Sequence, residues 1–306
     1  RLNKEEISYI VEHSGAEVLL IDPELKEDLA DINVKNLFVL GEESDHLFES
    51  TNTPKPWPPD ENATATINYT SGTTARPKGV EMTHRNLWLN AAIFGWQTGV
   101  DHREVYLHTL PMFHCNGWGM PYAITGMGGK HIVLRKVEGL EILKRIAEHD
   151  VTLLCGAPAV IASILEAATD WKGEIPGNGK MRIVVAGAPP PTKTIERVET
   201  ELGWEFIQIY GLTETAPFVT MNRTRPEWDD KTAQERAALL SSAGSPALGI
   251  DLSTSPDGEL LVRGNHVLKS YWKQTEATDE ALAGGWFHTG DGATLGKDQY
   301  VTITDR

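Results

Sequence analysis

Along the chain, short apolar runs alternate with longer segments whose apolar residues recur every three to four positions. That alternation is the signature of strand–helix units. Asn3 is placed to cap a helix over Lys4–His13, with Gly15 as its stop and Glu17–Ile21 as a following strand. Leu37–Leu40 reads as another short strand, and Ala63–Tyr69 as a third. Thr83 caps a helix of about fifteen residues that carries Leu87, Ala91 and Phe94 on one face. Strands are then predicted at Val105–Leu110, Val151–Cys155, Met181–Ala186 and Phe206–Ile209. Helices fall between or beside them at Leu140–His149, Ala159–Ala168 and Thr192–Leu202. Short apolar strands separated by helices pair in parallel, with helices on both faces.

Two stretches break the pattern. Thr51–Asp60 holds four prolines and reads as a linker. Asn222–Ser242 turns polar and predicts a surface helix starting near Pro226. Beyond it, residues 243–306 offer short strand-like pieces, Glu259–Arg263 and Tyr300–Thr304 among them, between Gly/Asp turns. The expected fold class is α/β: mostly parallel sheets flanked by helices, with a small antiparallel β subdomain at the C-terminal end. The expected division is 1–60, part of a first α/β subdomain cut short at its start; 61–242, a second α/β subdomain; and 243–306, the small β subdomain.

Composition changes little in this picture but removes several functions. At 306 residues the chain exceeds the usual size of one core, and 40% hydrophobic with 23% charged residues is ordinary for a globular protein. A net charge of −15 repels polyanions, so nucleic acid is not an expected partner. No apolar stretch reaches the length of a membrane span. Cys115 and Cys155 lack a paired spacing, which points to a reducing compartment, read here as the cytoplasm. The sequons at Asn62, Asn68 and Asn222 are then chance matches.

Chemistry concentrates in one segment, Tyr69-Thr-Ser-Gly-Thr-Thr-Ala-Arg-Pro-Lys-Gly79. Thr70, Ser71, Thr73, Thr74 and two glycines offer several donors to phosphate oxygens, and Lys78 adds a fixed positive charge. It is not a Walker A motif, because Lys78 precedes Gly79 instead of following a glycine before Ser/Thr. Tyr69, Pro111, Ala186 and Tyr210 each open a loop where a predicted strand ends. Ligands of open α/β sheets sit outside the carboxyl ends of strands, so the four junctions are expected to share one pocket. Gly187 and Gly211 let the backbone approach a flat ring, and Tyr210 offers a stacking face. Thr213 and Glu214 are hard oxygen ligands suited to Mg2+ beside phosphates; a helix-start carboxylate is the plainer role for Glu214. His114 is either a ligand residue or a packed core histidine, and Asp291 either a turn residue or a carboxylate that grips a ribose diol.

Taken in order, these motifs resemble the adenylate-forming superfamily of acyl-CoA synthetases, luciferases and peptide-synthetase adenylation domains. The matching segments are Thr70–Gly79, Pro111–His114, Ala186–Pro191, Tyr210–Glu214, Gly258–Glu259 with Tyr271-Trp272, Trp286–Asp291 and Thr304–Arg306. The resemblance implies a ligase that joins ATP and a carboxylate into an acyl-adenylate, then passes the acyl group to coenzyme A. It also implies roles. Thr70, Ser71, Gly72, Thr73, Thr74 and Lys78 would hold the β- and γ-phosphates. Gly187, Ala188 and Pro189 would line the adenine, with Tyr210 stacked on it and Gly211 alongside. Thr213 and Glu214 would serve the α-phosphate and Mg2+. Asp291 and Arg306 would take the ribose hydroxyls, and His114 would sit against the acyl carboxylate.

Phe113-His-Cys-Asn-Gly-Trp118 resembles the fatty-acyl-CoA synthetase segment in which a tryptophan gates the acyl tunnel; Trp118 as a core residue is the alternative. Gly117, Gly119, Gly126, Gly128 and Gly129 would leave room for an alkyl chain, with Gly211 also against the acyl group. His114 stands where amino-acid-activating members carry aspartate, which weighs against an amino acid. The expected substrate is thus a medium- or long-chain fatty acid, an aryl or other apolar carboxylate being next, and a homodimer remains open. Ala75 departs from the family's glycine or serine; at φ > 0 it would cost about 1–2 kcal/mol. The family also has sheet before residue 1 and, beyond Arg306, a mobile domain with a catalytic lysine. The rival reading is a protein of this fold that binds nucleotide or acyl ligand without turnover.

Overall fold

The structure, a computed structural model, describes residues 2–41, 44–53, 56, 60–70, 76–188 and 190–305. The helix Lys4–Ser14 carries the full capping box: Asn3 accepts from the Glu6 N–H and Glu6 returns a bond to Asn3. Gly15 closes it at φ +74°. β1 (Val18–Ile21) and β2 (Asn36–Val39) pair in parallel beside it.

The segment around Lys78 is built differently from the expectation. β3 (Thr64–Thr70) does not enter the large sheet. It turns back into β4 (Lys78–Thr83) as an antiparallel pair, with Thr70 opposite Lys78. β4 is buried from Gly79 to Thr83, with Val80 and Met82 in the apolar core, and this short return strand runs straight into the capped helix His84–Thr98. Thr83 forms its capping box with Asn86.

The large sheet then accumulates in sequence: β5 (Val105–His108), β6 (Lys130–Val133), β7 (Leu153–Gly156), β8 (Arg182–Val185), β9 (Glu205–Gly211), β10 (Phe218–Arg223) and β11 (Ser245–Pro246). Its order is β11-β10-β9-β8-β7-β5-β6, parallel from β6 to β9 and antiparallel at β10 and β11. Alternate residues feed two cores. Leu107, Leu154, Ile183, Val185 and Phe206 face the helices Gly139–His149, Pro158–Thr169 and Thr192–Arg197, the last continuing as a π turn to Leu202. Tyr106, Leu153, Cys155, Val184, Ile207 and Ile209 face the hairpin, the helices His84–Thr98 and Met120–Met127, and the C-terminal strands.

Those strands are β12 (Ile250–Thr254), β13 (Glu259–Gly264), β15 (Phe287–Leu295) and β16 (Val301–Asp305), an antiparallel sheet in that order. Between them β14 (Ser270–Tyr271) leaves to pair with β4. The surface helix starts later than Pro226 suggests. Pro226–Trp228 is one 3-10 turn, and the helix Ala233–Leu240 begins at the Thr232/Glu235 capping box, since β10 occupies the segment before it.

At the amino edge of the large sheet, the Glu104 side chain is buried and meets both the Arg182 guanidinium and the Thr152 hydroxyl. Arg182 also bonds the Thr98 carbonyl at the end of its helix. Removing one member of such a buried pair strands the other charge. Glu104→Ala is expected to destabilise the fold by about 3 kcal/mol, measured as a lower urea midpoint with unchanged slope.

Candidate active site

β5, β8 and β9 run in parallel, so the loops after them open on one edge, as the strand–loop junctions suggested. The fourth junction follows β3 of the separate hairpin sheet, and residues 71–75 beyond it lie outside the described residues. Six of the predicted site residues, Ser71, Gly72, Thr73, Thr74, Pro189 and Arg306, lie outside the described residues, as does Ala75.

A cavity of about 280 Å³ sits past the ends of β8 and β9. Gly187, Ala188, Tyr210, Gly211 and Asp291, all predicted, line it. The Tyr210 hydroxyl donates to Asp291 Oδ2 at 2.7 Å, and Asp291 is 3% exposed. Gly187 is needed for its backbone, at φ +96°. Gly211 has another cause: a Cβ there would lie 1.6 Å from the Pro217 carbonyl, so close passage of β10, not of a ring, excludes a side chain.

Sequence reasoning missed several members of this wall. Gln208, Ser241, Thr302 and Ile303 also line it. Gln208 Oε1 is buried with no partner among the described residues, an acceptor whose only signal was a polar residue inside an apolar strand. Glu259, read from sequence as the start of a strand and part of a Gly-Glu motif, holds the Asp291 turn. Its two oxygens take His288 Nδ1 at 2.9 Å and the Gly290 N–H at 2.8 Å.

Beside this cavity the hairpin brings up a second group. Lys78 Nζ lies over the Tyr271 ring, 4.8 Å from its centroid. The Tyr271 hydroxyl donates to Glu214 Oε1 at 2.9 Å, and burial together with that carboxylate raises its pKa. The other Glu214 oxygen and the Thr213 hydroxyl have no partners among the described residues. Two free hard oxygens, with no cluster of three or more His, Cys, Asp or Glu among the described residues, fit Mg2+ shared with a substrate's phosphates better than a metal in a closed protein cage.

The helix Lys4–Ser14 supports both flanks of the segment between Thr70 and Arg76. His13 Nδ1 is 2.8 Å from the Tyr69 hydroxyl, Tyr9 stacks on His13, and Arg76 lies over the Tyr9 ring. Nothing in the sequence of that helix marked it for the site.

The loop after β5 carries His114, exposed at its rim, whose imidazole is lowered below its usual pKa by the protein around it and so is neutral near pH 7. The next five residues, Cys115 to Gly119, have φ from +49° to +75°, one turn of left-handed helix. Its side-chain-bearing members each cost about 1–2 kcal/mol. Cys115 Sγ is 3.9 Å from the Thr213 carbonyl, so this turn adjoins Thr213–Glu214. Trp118 is 4% exposed and packs in the core. Gly117, Gly119 and Gly128 serve left-handed positions, and a Cβ on Gly129 would meet Ile124 and the Glu104 carbonyl. Of the glycines expected to clear space for an alkyl chain, only Gly126 lacks such a local reason.

The AMP-binding enzyme family profile matches residues 1–272. The chain belongs to that family. It is 34% identical to an acetate/butyrate–CoA ligase of Arabidopsis thaliana, over 100% of the chain and 61% of the relative. It is 36% identical to a trans-cinnamate:CoA ligase of Petunia hybrida, over 78% of the chain and 44% of the relative. Both relatives are named as peroxisomal. Among solved structures, the o-succinylbenzoate coenzyme A synthetase of Bacillus subtilis in complex with ATP and magnesium superposes with a TM-score of 0.83 at 27% identity. That match covers 100% of this chain and 62% of the other. The chain thus spans about three fifths of the length of the relatives that it matches throughout.

The Tyr210–Asp291 bond generates one test in this AMP-binding enzyme. Tyr210→Phe removes the donor that orients a buried carboxylate. AMP affinity, read by titration calorimetry, is expected to fall roughly fivefold. An unchanged affinity would show that the pair serves the fold alone.

Proposed function

We propose that the protein containing this chain is an AMP-forming acid–thiol ligase that activates a small apolar carboxylate with ATP and transfers it to coenzyme A. The observation that carries this reading is the position of Thr213–Glu214. They follow the cavity wall Tyr210–Gly211 directly, are reached from the hairpin through Tyr271, and touch the His114 turn through Cys115. A nucleotide held at Tyr210 and Asp291 would present its α-phosphate there, with the carboxylate arriving from the His114 side.

In the first step a carboxylate oxygen attacks the α-phosphorus and pyrophosphate leaves. Lys78 would hold phosphate oxygens by charge, and neutral His114 would donate a hydrogen bond to the carboxylate without adding a second cation. Glu214 and Thr213 would hold Mg2+, which supplies electrostatic stabilisation of the charge that gathers on the α-phosphate. Asp291 would accept from the ribose hydroxyls. In the second step the thiol sulfur of coenzyme A attacks the acyl carbonyl and AMP leaves with the bonding pair.

Our reading of the acid is shorter than the medium- or long-chain fatty acid expected from sequence. Trp118 is packed in the core and four of the five nearby glycines have local structural causes, so neither argues for a long tunnel. The relatives' names, acetate/butyrate–CoA ligase and trans-cinnamate:CoA ligase, support short aliphatic and aryl acids. Cys115 and Cys155 are free and buried, in keeping with a reducing compartment, and no described helix is long and apolar enough to cross a membrane. A peroxisomal address, carried in both relatives' names, joins the cytoplasm as a proposal.

The test is pyrophosphate release by the whole protein with ATP and butyrate, cinnamate, octanoate or palmitate. Release is expected with butyrate or cinnamate and to fall away at palmitate. No release with any acid would sink the ligase reading in favour of binding without turnover. In the same assay Lys78→Ala is expected to raise the KM for ATP about tenfold or more while the carboxylate KM holds. Equal loss of both would make Lys78 a structural residue.

A further inference from the structure

The left-handed turn Cys115–Gly119 persists although the conformation is unfavourable for L-residues, so its surroundings must over-determine it. Buried amides do so. Asn116 and Asn68 exchange both bonds of a reciprocal amide pair, each at 3.2 Å, and Asn116 Nδ2 also lies 3.1 Å from Thr66 Oγ1. Asn90, 0% exposed, donates from Nδ2 to the Trp118 carbonyl at 3.2 Å and accepts the Phe218 N–H at 3.1 Å. A Cβ on residue 119 would come within 2.4 Å of Asn90 Nδ2, so the turn and this amide fit without slack.

The strand register adds the functional point. Asn68 of β3 lies opposite Val80 of β4, and Val80 lies opposite Tyr271 of β14. One row across the hairpin sheet therefore bonds the left-handed turn at one end, through Asn68, and Glu214 at the other, through Tyr271. The same sheet carries Lys78.

We propose that Asn116, with Asn68 and Asn90, is a positioning residue for the carboxylate. The amide pair fixes His114 and its turn to the hairpin that carries the phosphate lysine, and so sets the carboxylate's register against the ATP α-phosphate. This rests on the ligase reading given above. Loss of the pair leaves a buried amide unsatisfied and lets the turn relax, while Tyr210 and Asp291 stay as they are.

Asn116→Ala, Asn116→Gly and Asn68→Ala in the whole protein test this by pyrophosphate-release kinetics and by hydrogen–deuterium exchange over residues 114–121. All three are expected to raise the carboxylate KM about tenfold and to keep the ATP KM within about twofold. Asn116→Gly tolerates the left-handed backbone, so it is expected to recover thermal stability relative to Asn116→Ala without recovering the carboxylate KM. Exchange over 114–121 is expected to quicken about tenfold in Asn68→Ala, with β9 unchanged. A parallel rise in both KM values, or unaltered exchange at 114–121 in Asn68→Ala, overturns the proposal. If the wild type releases no pyrophosphate with any acid, the ligase reading fails, and the exchange result alone decides whether Asn68 holds the turn.

Discussion

The hydrogen bond from the Tyr271 hydroxyl to Glu214 joins two sheets that share no strand. With the Leu268 N–H bond to the Glu214 carbonyl at 2.7 Å, it fixes the angle between the turn after β9 and the hairpin β3–β4, which apolar packing alone would set less tightly. Tyr271 is well placed for both tasks. Its ring carries the Lys78 ammonium while its hydroxyl occupies one Glu214 oxygen, leaving the second oxygen toward the site. β14 is only two residues long, yet it brings this side chain to β4 in register. A segment that would otherwise be a loop of the C-terminal sheet thereby becomes part of the site's wall.

The cavity side rests on a second carboxylate, Glu259, which lies behind the wall. Glu259 spends both oxygens on His288 and the Gly290 N–H, which pins the turn on which Asp291 sits. Asp291 in turn accepts from Tyr210 across to β9. The C-terminal sheet thus meets β9 at the cavity through Asp291, and the hairpin sheet meets the turn after β9 through Tyr271 and Glu214. Each contact pairs a carboxylate with a tyrosine hydroxyl, a donor short enough to fix geometry and too weak an acid to neutralise the charge.

How much of this the sequence revealed depends on whether local chemistry decided it. The cap at Asn3, the stop at Gly15, the cap at Thr83 and the alternation of strands with helices are local, and the structure has them at or within a few residues of the expected places. The cavity wall of Gly187, Ala188, Tyr210, Gly211 and Asp291 was legible because parallel strands deliver their carboxyl ends to one edge. The hairpin was not. β4 is six residues merging into a helix cap, so Lys78 and Gly79 read as the end of the phosphate loop and no strand was expected at Val80–Met82. Nor was the left-handed turn. Cys115 and Trp118 are poor candidates for positive φ, and only the distant Asn68 and Asn90 account for it. Pairings of high sequence separation leave no local trace, and those same pairings set the angles between the site's parts.

Electrostatics gives the arrangement its remaining logic. ATP and a carboxylate are both anions, and the chain carries a net charge of −15. Long-range attraction is therefore no help, and beyond about 10 Å at 0.1 M salt it would be screened in any case. On the ligase reading, local cations must hold both substrates. Most nearby lysines would serve poorly if they were already paired: Lys269, on the edge of the same sheet, is bonded to Glu81 at 2.9 Å. Lys78 differs. It has no ion pair among the described residues and is held by the face of an aromatic ring. A ring orients an ammonium while leaving its formal charge intact, whereas a carboxylate would orient it by cancelling that charge. Placing a tyrosine where an acidic partner could have stood keeps the cation both fixed and available for phosphate. The hydroxyl of that tyrosine then keeps Glu214 fixed one ring's length away, so Lys78 and Glu214 stay close without pairing with each other.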